Sequence, residues 1–386
     1  LFVEYPLIAL QHQANRAAGP VLCDRCFRFV GPLEAQIDNL LRARAPAHDA
    51  STVATPPLPR LHGMRALAQP VACAGGCAAV VYCSEECAQA QWEHHHKLLC
   101  SGARARIDAC HACGSSKRSL DGALGDLAIA GASSAMDGAA DDGPAGGGGA
   151  STPLSRFATH ARMTNEIFLL AAKAVAAILV QVGRGCSLEV AMEHFPGPIW
   201  WDAVATPDGS DPAEFAETLR RLLTQSWLLL CAVLAPDAPV GAAPLFADAS
   251  LYATIVGSFE RRNCAVQVAS PVEEYFLLAD GLPDGEEKQA VLATTQPVLD
   301  ALDDAYDTAG EGTGLFPLQA TLNHSCEPNV TLLKEDVDDE SDCRVVATVC
   351  RDVAAGEELC NAYIDVSLPL EQRHRELLEY GFECRC

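Results

Sequence analysis

The chain has 386 residues, enough for two or three domains with a sizeable apolar core. Its 27 lysine and arginine residues against 51 aspartate and glutamate residues give a formal net charge of −24. Because such a surface repels phosphate backbones and attracts cations, we expect basic protein segments as partners and no direct contact with nucleic acid. Solubility alone would account for the same charge.

The N-terminus, LFVEYPLIAL, has no signal-peptide pattern and predicts a strand. The chain starts at Leu1 rather than at methionine and stops at Cys386 inside a cysteine cluster, so we expect a fragment of a longer protein. Its longest apolar run, residues 167–182, is shorter than the roughly 18–20 residues of a membrane span. Because the run also contains Lys173, we predict a buried helix and no membrane contact.

Composition and periodicity divide the rest of the chain. Residues 121–151 are almost all Gly, Ala, Ser and Asp, a composition that buries too little apolar surface to order itself and predicts a flexible linker. Helical periodicity spans residues 156–234, and from Leu251 onward short runs broken by turns replace it. The elements predicted there are strands at 345–349 and 359–364, a turn at 351–358 between them, an acidic loop at 335–342 and a final helix at 371–380.

Four pairs of possible metal ligands lie within the first 100 residues, in a chain with 18 cysteines. They are Cys23-x2-Cys26, Cys73-x3-Cys77, Cys83-x3-Cys87 and His96-x3-Cys100. Each pair fits a tight turn or one helical turn, which directs both donors at one ion, so eight ligands suffice for two structural zinc sites. Disulfides in an extracellular protein are the alternative, and His94 and His95 compete with His96 as ligand. For the further pair Cys110-x2-Cys113 we predict no metal.

The residues after the third pair resemble the MYND zinc module. The resemblance rests on VYCSEEC at 81–87, on Trp92 and on the closing HKLLC. It implies a crossed ligand pattern, in which one ion is held by Cys23, Cys26, Cys83 and Cys87 and the other by Cys73, Cys77, His96 and Cys100. This chain differs from that family by a far longer gap between the first two pairs and by the x3 spacing of the second pair.

The string NHSCEPN at 323–329 resembles the NHSCxPN signature of SET-domain lysine methyltransferases. GEEL at 356–359, YID at 363–365 and CRC at 384–386 follow in the order that this family shows. Together with the zinc module, these elements resemble the SET-and-MYND (SMYD) lysine methyltransferases. The opening LFVEYP, the long insert after Cys26 and the residues GLF at 314–316 look closest to that family's fifth member.

The resemblance implies how the site residues act. Methyl transfer from the sulfonium of S-adenosylmethionine needs a neutral amine, whereas free lysine titrates near about 10.4. A narrow apolar channel favours the neutral amine by desolvating the ammonium, and alignment with the methyl group supplies much of the rate. Tyr363 would be the active-site tyrosine, and Tyr380 would line the channel.

The same resemblance implies a cofactor site and a third zinc site. Asn323 and His324 would contact the cofactor, chiefly through backbone bonds to the adenine edge, and Phe382 would stack on the adenine ring. Asn263 would be a further cofactor contact. The third zinc would be held by Cys326, Cys384, Cys386 and a cysteine beyond the end of this chain. The family's Gly-x-Gly loop would precede Leu1. Three other cysteines, Cys343, Cys350 and Cys360, are predicted to be buried as small hydrophobic residues.

The fold that the resemblance implies is α+β, with small sheets, a knot-like crossing near Asn323 and Tyr363, an inserted MYND module and a helical insert. The predicted divisions are N-terminal SET strands at 1–22, the MYND module at 23–100 with a long insert at 27–72, a linker at 101–155, the helical SET insert at 156–245, core SET at 246–366 and post-SET at 367–386.

These features predict a protein-lysine N-methyltransferase that acts on histone or other basic proteins in the nucleus, the cytoplasm or both. The alternative is a protein-interaction scaffold, in which the MYND module binds proline-containing peptides and the SET domain is inactive.

Overall fold

The computed structural model describes residues 1–45, 55–104, 152–207, 209–333, 342–378 and 380–385. The predicted linker at 121–151, most of the acidic loop, the pair Cys110 and Cys113, and Cys386 lie outside these ranges. Within them the chain combines helices with small sheets, so the α+β class is confirmed.

The secondary-structure elements alternate along the chain. The strands in the described ranges are β1 (Phe2–Glu4), β2 (Ile8–Gln11), β3 (Val71–Ala72), β4 (Val81–Tyr82), β5 (Asn263–Val268), β6 (Gly310–Leu315), β7 (Asn323–His324), β8 (Val330–Leu333), β9 (Val345–Val349) and β10 (Cys360–Asn361). The α-helices there are α1 (Gln13–Ala18), α2 (Leu33–Arg44), α3 (Glu85–Gln91), α4 (Lys97–Leu99), α5 (Pro153–Thr164), α6 (Ile167–Gly183), α7 (Leu188–Ala191), α8 (Trp200–Ala203), α9 (Pro212–Leu234), α10 (Ser250–Arg262), α11 (Pro271–Asp280), α12 (Glu286–Leu302) and α13 (Leu370–Leu378). A π-helical turn, Trp92–His96, joins α3 to α4, and short 3-10 helices cover Ala235–Asp237, Val240–Phe246, Asp303–Asp307 and Gln319–Thr321.

The strands form four small sheets. Two of them are three-stranded and antiparallel, with the strand orders β1-β9-β8 and β2-β6-β5. Strands β3 and β4 form a hairpin within the cysteine-rich region. The pair β7 and β10 is parallel, so residues far apart in sequence run side by side in the same direction.

Two predicted strands differ from the structure. The single N-terminal strand is in fact β1 and β2, which pair with different sheets. Pro6 lies between them, and proline cannot donate a ladder hydrogen bond. The strand predicted at 359–364 is reduced to β10. Its continuation leaves the ladder because the backbone N–H of Tyr363 donates to a side chain, His324 Nδ1 at 3.1 Å.

The region after Leu251 was predicted as short runs broken by turns, and up to residue 302 this prediction was wrong except at β5, because α10, α11 and α12 form most of the rest. The start of α11 carries a signal that α5 and α9 share. In each case an oxygen-bearing side chain precedes a proline and accepts a hydrogen bond from the backbone of the second or third residue beyond it. These starts are Thr152-Pro153, Asp211-Pro212 and Ser270-Pro271. The side-chain oxygen accepts a hydrogen bond from a backbone N–H that has no partner within the helix. Proline suits the first helical position because the N–H it lacks would have no partner there.

Helix α6 lies at the centre of the largest core. Of its 17 residues, 12 are buried, and α9, α10 and β2 surround it. A helix that is apolar on all sides is a buried one, as predicted from its sequence. No single helix in the described ranges is long and apolar enough to span a membrane. One pair bent by 75°, Val240–Phe246 with α10, meets those criteria only when its two helices are taken together.

The insert predicted at 27–72 builds a second core. Its helix α2 packs Ile37 and Leu40 against apolar side chains of α11 and α12, including Phe276 and Leu302. The insert therefore contacts α11 and α12, the helices that precede β6, and the apolar face of α2 is buried against them.

A buried ion pair joins the cysteine-rich region to the central helix. Lys173 of α6 donates to the carbonyl oxygen of Ala9 at 2.9 Å and to Asp24 Oδ2 at 3.2 Å. Only 13% of the lysine side chain and 6% of the aspartate side chain are exposed. Asp24 lies between Cys23 and Cys26, so the pair connects the first cysteine turn to both α6 and β2.

We expect Lys173→Met to lower the free energy of unfolding by about 3 kcal/mol, because it leaves the Asp24 carboxylate buried without a counter-charge. Urea unfolding followed by tryptophan fluorescence measures this change. The double variant Lys173→Met, Asp24→Asn should regain most of the loss. Equal stability of the Lys173→Met variant and the wild type would contradict the stabilising role of this ion pair.

Candidate functional site

The candidate site is built where two distant segments cross. Strand β7 pairs in parallel with β10, which sets Asn323 opposite Cys360 and His324 opposite Asn361. The backbone N–H of Ser325 extends the pairing with a 3.0 Å hydrogen bond to the carbonyl oxygen of Asn361. The structure thus brings Asn323 and Tyr363 to the same place.

Asn329 holds the two segments together. Its side chain is buried and donates from Nδ2 to the carbonyl oxygen of Glu358 at 2.8 Å and to Glu357 Oε1 at 3.1 Å. Its Oδ1 accepts from the backbone N–H of Cys360 at 2.8 Å, and its own N–H donates to the carbonyl oxygen of that residue. An amide supplies both donors and acceptors, so asparagine satisfies groups on the facing segment that no apolar side chain could.

Four aromatic rings gather beside this crossing. The centroid of Tyr363 lies 5.4 Å from that of His324, 5.1 Å from that of Tyr380 and 6.4 Å from that of Phe382. The rings of His324 and Phe382 are 6.0 Å apart. Residues predicted for catalysis and for cofactor binding therefore form one cluster.

The polar atoms of Tyr363 and His324 are fixed by hydrogen bonds. The hydroxyl of Tyr363 donates to the carbonyl oxygen of Leu322 at 2.6 Å, which leaves its oxygen lone pairs as acceptors. Burial raises the pKa of Tyr363, so the phenol stays protonated at neutral pH. His324 Nδ1 accepts the backbone N–H of Tyr363, and burial followed by the charge of Arg373 lowers the histidine's pKa. These contacts describe a neutral imidazole whose Nε2 carries the proton.

A cavity of about 520 Å³ opens at the aromatic cluster. Tyr363 and Tyr380 line one side of it, and Asn263 lies in its wall at the start of β5. Two buried side-chain oxygens of other lining residues, Gln319 Oε1 and Asn361 Oδ1, accept no hydrogen bond from the described ranges. Asn323 does not line this cavity, and its Nδ2 donates to Glu358 Oε1 at 2.6 Å.

The first predicted set of metal ligands converges. The sulfur atoms of Cys23, Cys26, Cys83 and Cys87 all lie within 4.8 Å of one another. Cys26 Sγ is 3.5 Å from Cys83 Sγ and 3.9 Å from Cys87 Sγ, close to the roughly 3.8 Å expected between thiolates on a tetrahedral zinc. Hydrogen bonds from Cys23 and then Cys26 lower the pKa of Cys83 to about 7. The same cluster of thiols lowers the pKa of Cys87 but raises the pKa values of Cys23 and Cys26, so without metal it favours the thiolate, the form that binds zinc, at Cys83 and Cys87.

The second predicted set converges as well, in the crossed pattern. The ligand atoms of Cys73, Cys77, His96 and Cys100 lie within 4.8 Å of one another. His96 Nε2 is 3.2 Å from Cys73 Sγ and 3.4 Å from Cys77 Sγ. The neighbouring histidines do not compete, because they pair with each other through their Nδ1 atoms at 3.0 Å. The π-helical turn is what presents His96 to these thiols.

The third predicted set is only partly visible in the described residues. Cys326 Sγ lies 3.7 Å from Cys384 Sγ, and Cys386 is outside the described ranges. His324 lies beside this group, with Nε2 3.4 Å from Cys326 Sγ, and in the tautomer set by its contact with the backbone of Tyr363 this nitrogen donates to the sulfur. His324 was predicted from the sequence as a cofactor contact, and its position beside Cys326 was not predicted. The His-x-Cys spacing within NHSC is the signal that could have found it.

Three cysteines outside the predicted metal sets, Cys343, Cys350 and Cys360, were predicted to be buried, and the structure agrees for one of them. Cys343 is buried, and burial raises its pKa, whereas Cys360 is half-buried and Cys350 is exposed. The prediction was wrong for Cys350 because it is the first residue after β9 and lies in a surface bend. The alternating pattern of a strand does not carry over to the turn that follows it.

Comparison with protein families agrees with this geometry. The SET domain family matches residues 243–364, a range that contains β5 to β10. The MYND finger family matches residues 64–100. Its match begins after Cys23 and Cys26, which the structure nevertheless places in the first ligand set.

Several curated proteins are similar to the chain. Histone-lysine N-methyltransferase ATXR2 of Arabidopsis thaliana is 31% identical over 441 aligned residues, which cover 98% of this chain and 83% of that protein. Protein-lysine N-trimethyltransferase SMYD5 of Mus musculus is 39% identical over 80 residues, 20% of this chain and 18% of the relative. Histone-lysine N-methyltransferase SMYD3 of Homo sapiens is 36% identical over 76 residues, 19% of this chain and 16% of the relative.

Removing one ligand of the first set tests whether it holds zinc. We expect Cys83→Ser to lower the bound zinc by about one ion per chain and to lower the melting temperature, because structural zinc contributes directly to folding. Metal analysis by mass spectrometry and thermal unfolding measure the two effects. The exposed Cys350 provides a matched control, and Cys350→Ser should change neither. An unchanged zinc content in Cys83→Ser would refute the set.

Replacing Asn329 tests the crossing. We expect Asn329→Ala to lower the free energy of unfolding by about 2–3 kcal/mol, because it leaves the part-buried carbonyl oxygen of residue 358 and backbone N–H of residue 360 without these partners. Chemical denaturation measures the loss. Asn39→Ala, which removes a surface contact with Arg42, should change stability by less than about 0.5 kcal/mol. Similar values for the two variants would show that the crossing does not depend on this amide.

Proposed function

The chain belongs to the SET- and MYND-domain lysine methyltransferases, and we propose that it transfers the methyl group of S-adenosylmethionine to lysine side chains of histone or other basic proteins. The observation that carries this proposal is the single aromatic cluster of Tyr363, Tyr380, His324 and Phe382, two of whose members, Tyr363 and Tyr380, line the cavity. The histone specificity is suggested by the names of the relatives, and the net charge of −24 suits a basic partner.

The cavity has the features that an amine and a sulfonium amino acid require. When bound, S-adenosylmethionine supplies an electrophilic methyl group. The buried oxygens of Gln319 and Asn361 lack donors in the described ranges, so the region offers acceptors for N–H groups. Phe382 offers a ring face on which an adenine can stack. Asn263, in the cavity wall, offers a side-chain amide as a further hydrogen-bonding group for the cofactor.

Tyr363 orients the lysine amine in this proposal. Its hydroxyl hydrogen is committed to the carbonyl oxygen of Leu322, so the phenol oxygen presents lone pairs to an incoming N–H. An amine held by that contact directs its own lone pair away from the tyrosine. Desolvation by the aromatic walls disfavours the ammonium form and therefore raises the fraction of reactive neutral amine.

The metal sites have a structural role in this proposal. Both MYND ligand sets are closed, with four protein ligands each and no position for a substrate. We assign a third zinc to Cys326, Cys384 and Cys386, which would fix the segment that carries Tyr380 and Phe382. The cysteines in the described ranges are free thiols, which supports a reducing compartment, the nucleus or the cytoplasm.

Removing the hydroxyl of Tyr363 tests the proposal. We expect Tyr363→Phe to reduce kcat for methyl transfer at least about a hundredfold, because it deletes the group that orients the amine while keeping the ring. Transfer of a radiolabelled methyl group from S-adenosylmethionine to core histones measures the rate. Tyr306→Phe is the matched control, since Tyr306 does not line the cavity. Equal labelling by the wild type and Tyr363→Phe would reject the role.

A further inference from the structure

The charges that line the active-site cavity are opposite to those of the chain as a whole. The chain carries 51 acidic residues, but no aspartate or glutamate is among the described residues that line the cavity. Its charged lining consists of Arg261 and Arg262, at the end of α10. A local positive field inside an acidic protein selects for negative charge on whatever enters there.

The two arginines differ in burial and in their hydrogen bonds. Arg262 is half-buried, its Nη1 donates to the carbonyl oxygen of His194 at 2.8 Å, and burial lowers its pKa. It has a structural role. Arg261 is exposed and makes no hydrogen bond or ion pair within the part of the chain that the structure describes. The C-terminal dipole of α10 favours a cation at this position, but that effect does not direct the guanidinium toward the cavity.

The guanidinium of Arg261 is held at the turn that carries the aromatic residues. A Cβ atom on Gly381 would lie 3.1 Å from Arg261 Nη2, so the side chain packs against the backbone of that residue. Gly381 has a φ of +80°, a conformation that favours glycine. Its neighbours are Tyr380, in the cavity wall, and Phe382, in the aromatic cluster. Glycine here serves both the turn and the close approach of the arginine.

We propose that Arg261 binds a carboxylate at the mouth of the active-site cavity, and that this carboxylate belongs to an acidic residue next to the target lysine. A guanidinium presents a planar set of donors that match the two oxygens of a carboxylate. The proposal rests on the proposed function and narrows its substrates to lysines with an acidic neighbour within otherwise basic proteins. The aminocarboxylate of the cofactor is the other possible source of the same group.

Peptide binding tests the proposal without turnover. The probes are synthetic peptides with one lysine and one glutamate, placed in turn at each nearby position, and matched peptides with glutamine instead. Fluorescence anisotropy with S-adenosylhomocysteine present gives Kd for the wild type, Arg261→Ala and Arg261→Lys. Arg220→Ala, which removes an exposed arginine of α9 that does not line the cavity, is the control. Thermal unfolding verifies that each variant is folded.

We expect the wild type to prefer the glutamate peptide about three- to tenfold at one position, and Arg261→Ala to lose that preference. Arg261→Lys should retain part of it, and Arg261→Glu should prefer a lysine at that position instead. In a second arm, calorimetry measures Kd for S-adenosylmethionine. A weaker Kd in Arg261→Ala with unchanged peptide preference would assign the carboxylate to the cofactor.

The proposal is overturned if the folded Arg261→Ala variant keeps the peptide preference of the wild type, whether its cofactor Kd is weakened or unchanged. Failure of the proposed function would look different. The wild type would then bind peptide yet transfer no labelled methyl group to any lysine peptide, whatever the state of Arg261. The two ideas therefore fail in separate measurements.

Discussion

The fold of the site depends on the amide of one buried asparagine. Asn329 joins its own segment to residues 357–360 through both its side chain and its backbone. With β7 and β10 in parallel, this contact forces residues about 35 positions apart to share a register. The aromatic cluster follows directly, because His324 and Tyr363 lie just at the ends of the paired strands.

The same constraint explains why the reactive groups are fixed rather than mobile. His324 accepts the backbone N–H of Tyr363 through Nδ1, and the tyrosine hydroxyl is bound to the carbonyl oxygen of Leu322. The imidazole therefore cannot turn without breaking a hydrogen bond, and the phenol oxygen is held at one position. A transfer that depends on the alignment of an amine with a methyl group requires such fixed walls more than it requires acid or base chemistry.

The sequence predicted the parts of the structure that depend on local spacing. Pairs such as Cys23 and Cys26 need only one tight turn, and the family resemblance supplied which pairs combine. Helices α11 and α12 were missed because their apolar faces are shared with α2, some 230 residues earlier, and no local pattern shows that partner. The role proposed for Arg261 was missed for a related reason, because it depends on the charges that surround this side chain in space and not on its neighbours in the sequence.

The zinc module and the cavity are connected by packing rather than by chain order. Phe27, directly after the ligand Cys26, has a left-handed backbone with a φ of 62° and lays its ring against β6. Gly312 makes room for that ring, since a Cβ there would lie 2.4 Å from it. Strand β6 in turn pairs with β5, and this register sets Asn263 opposite Leu315, at the cavity wall. Because interiors are closely packed, a shift of the first cysteine turn is transmitted through Phe27 to the strand that carries Asn263. A zinc ion held by the first ligand set would therefore contribute to the shape of the cavity from outside it.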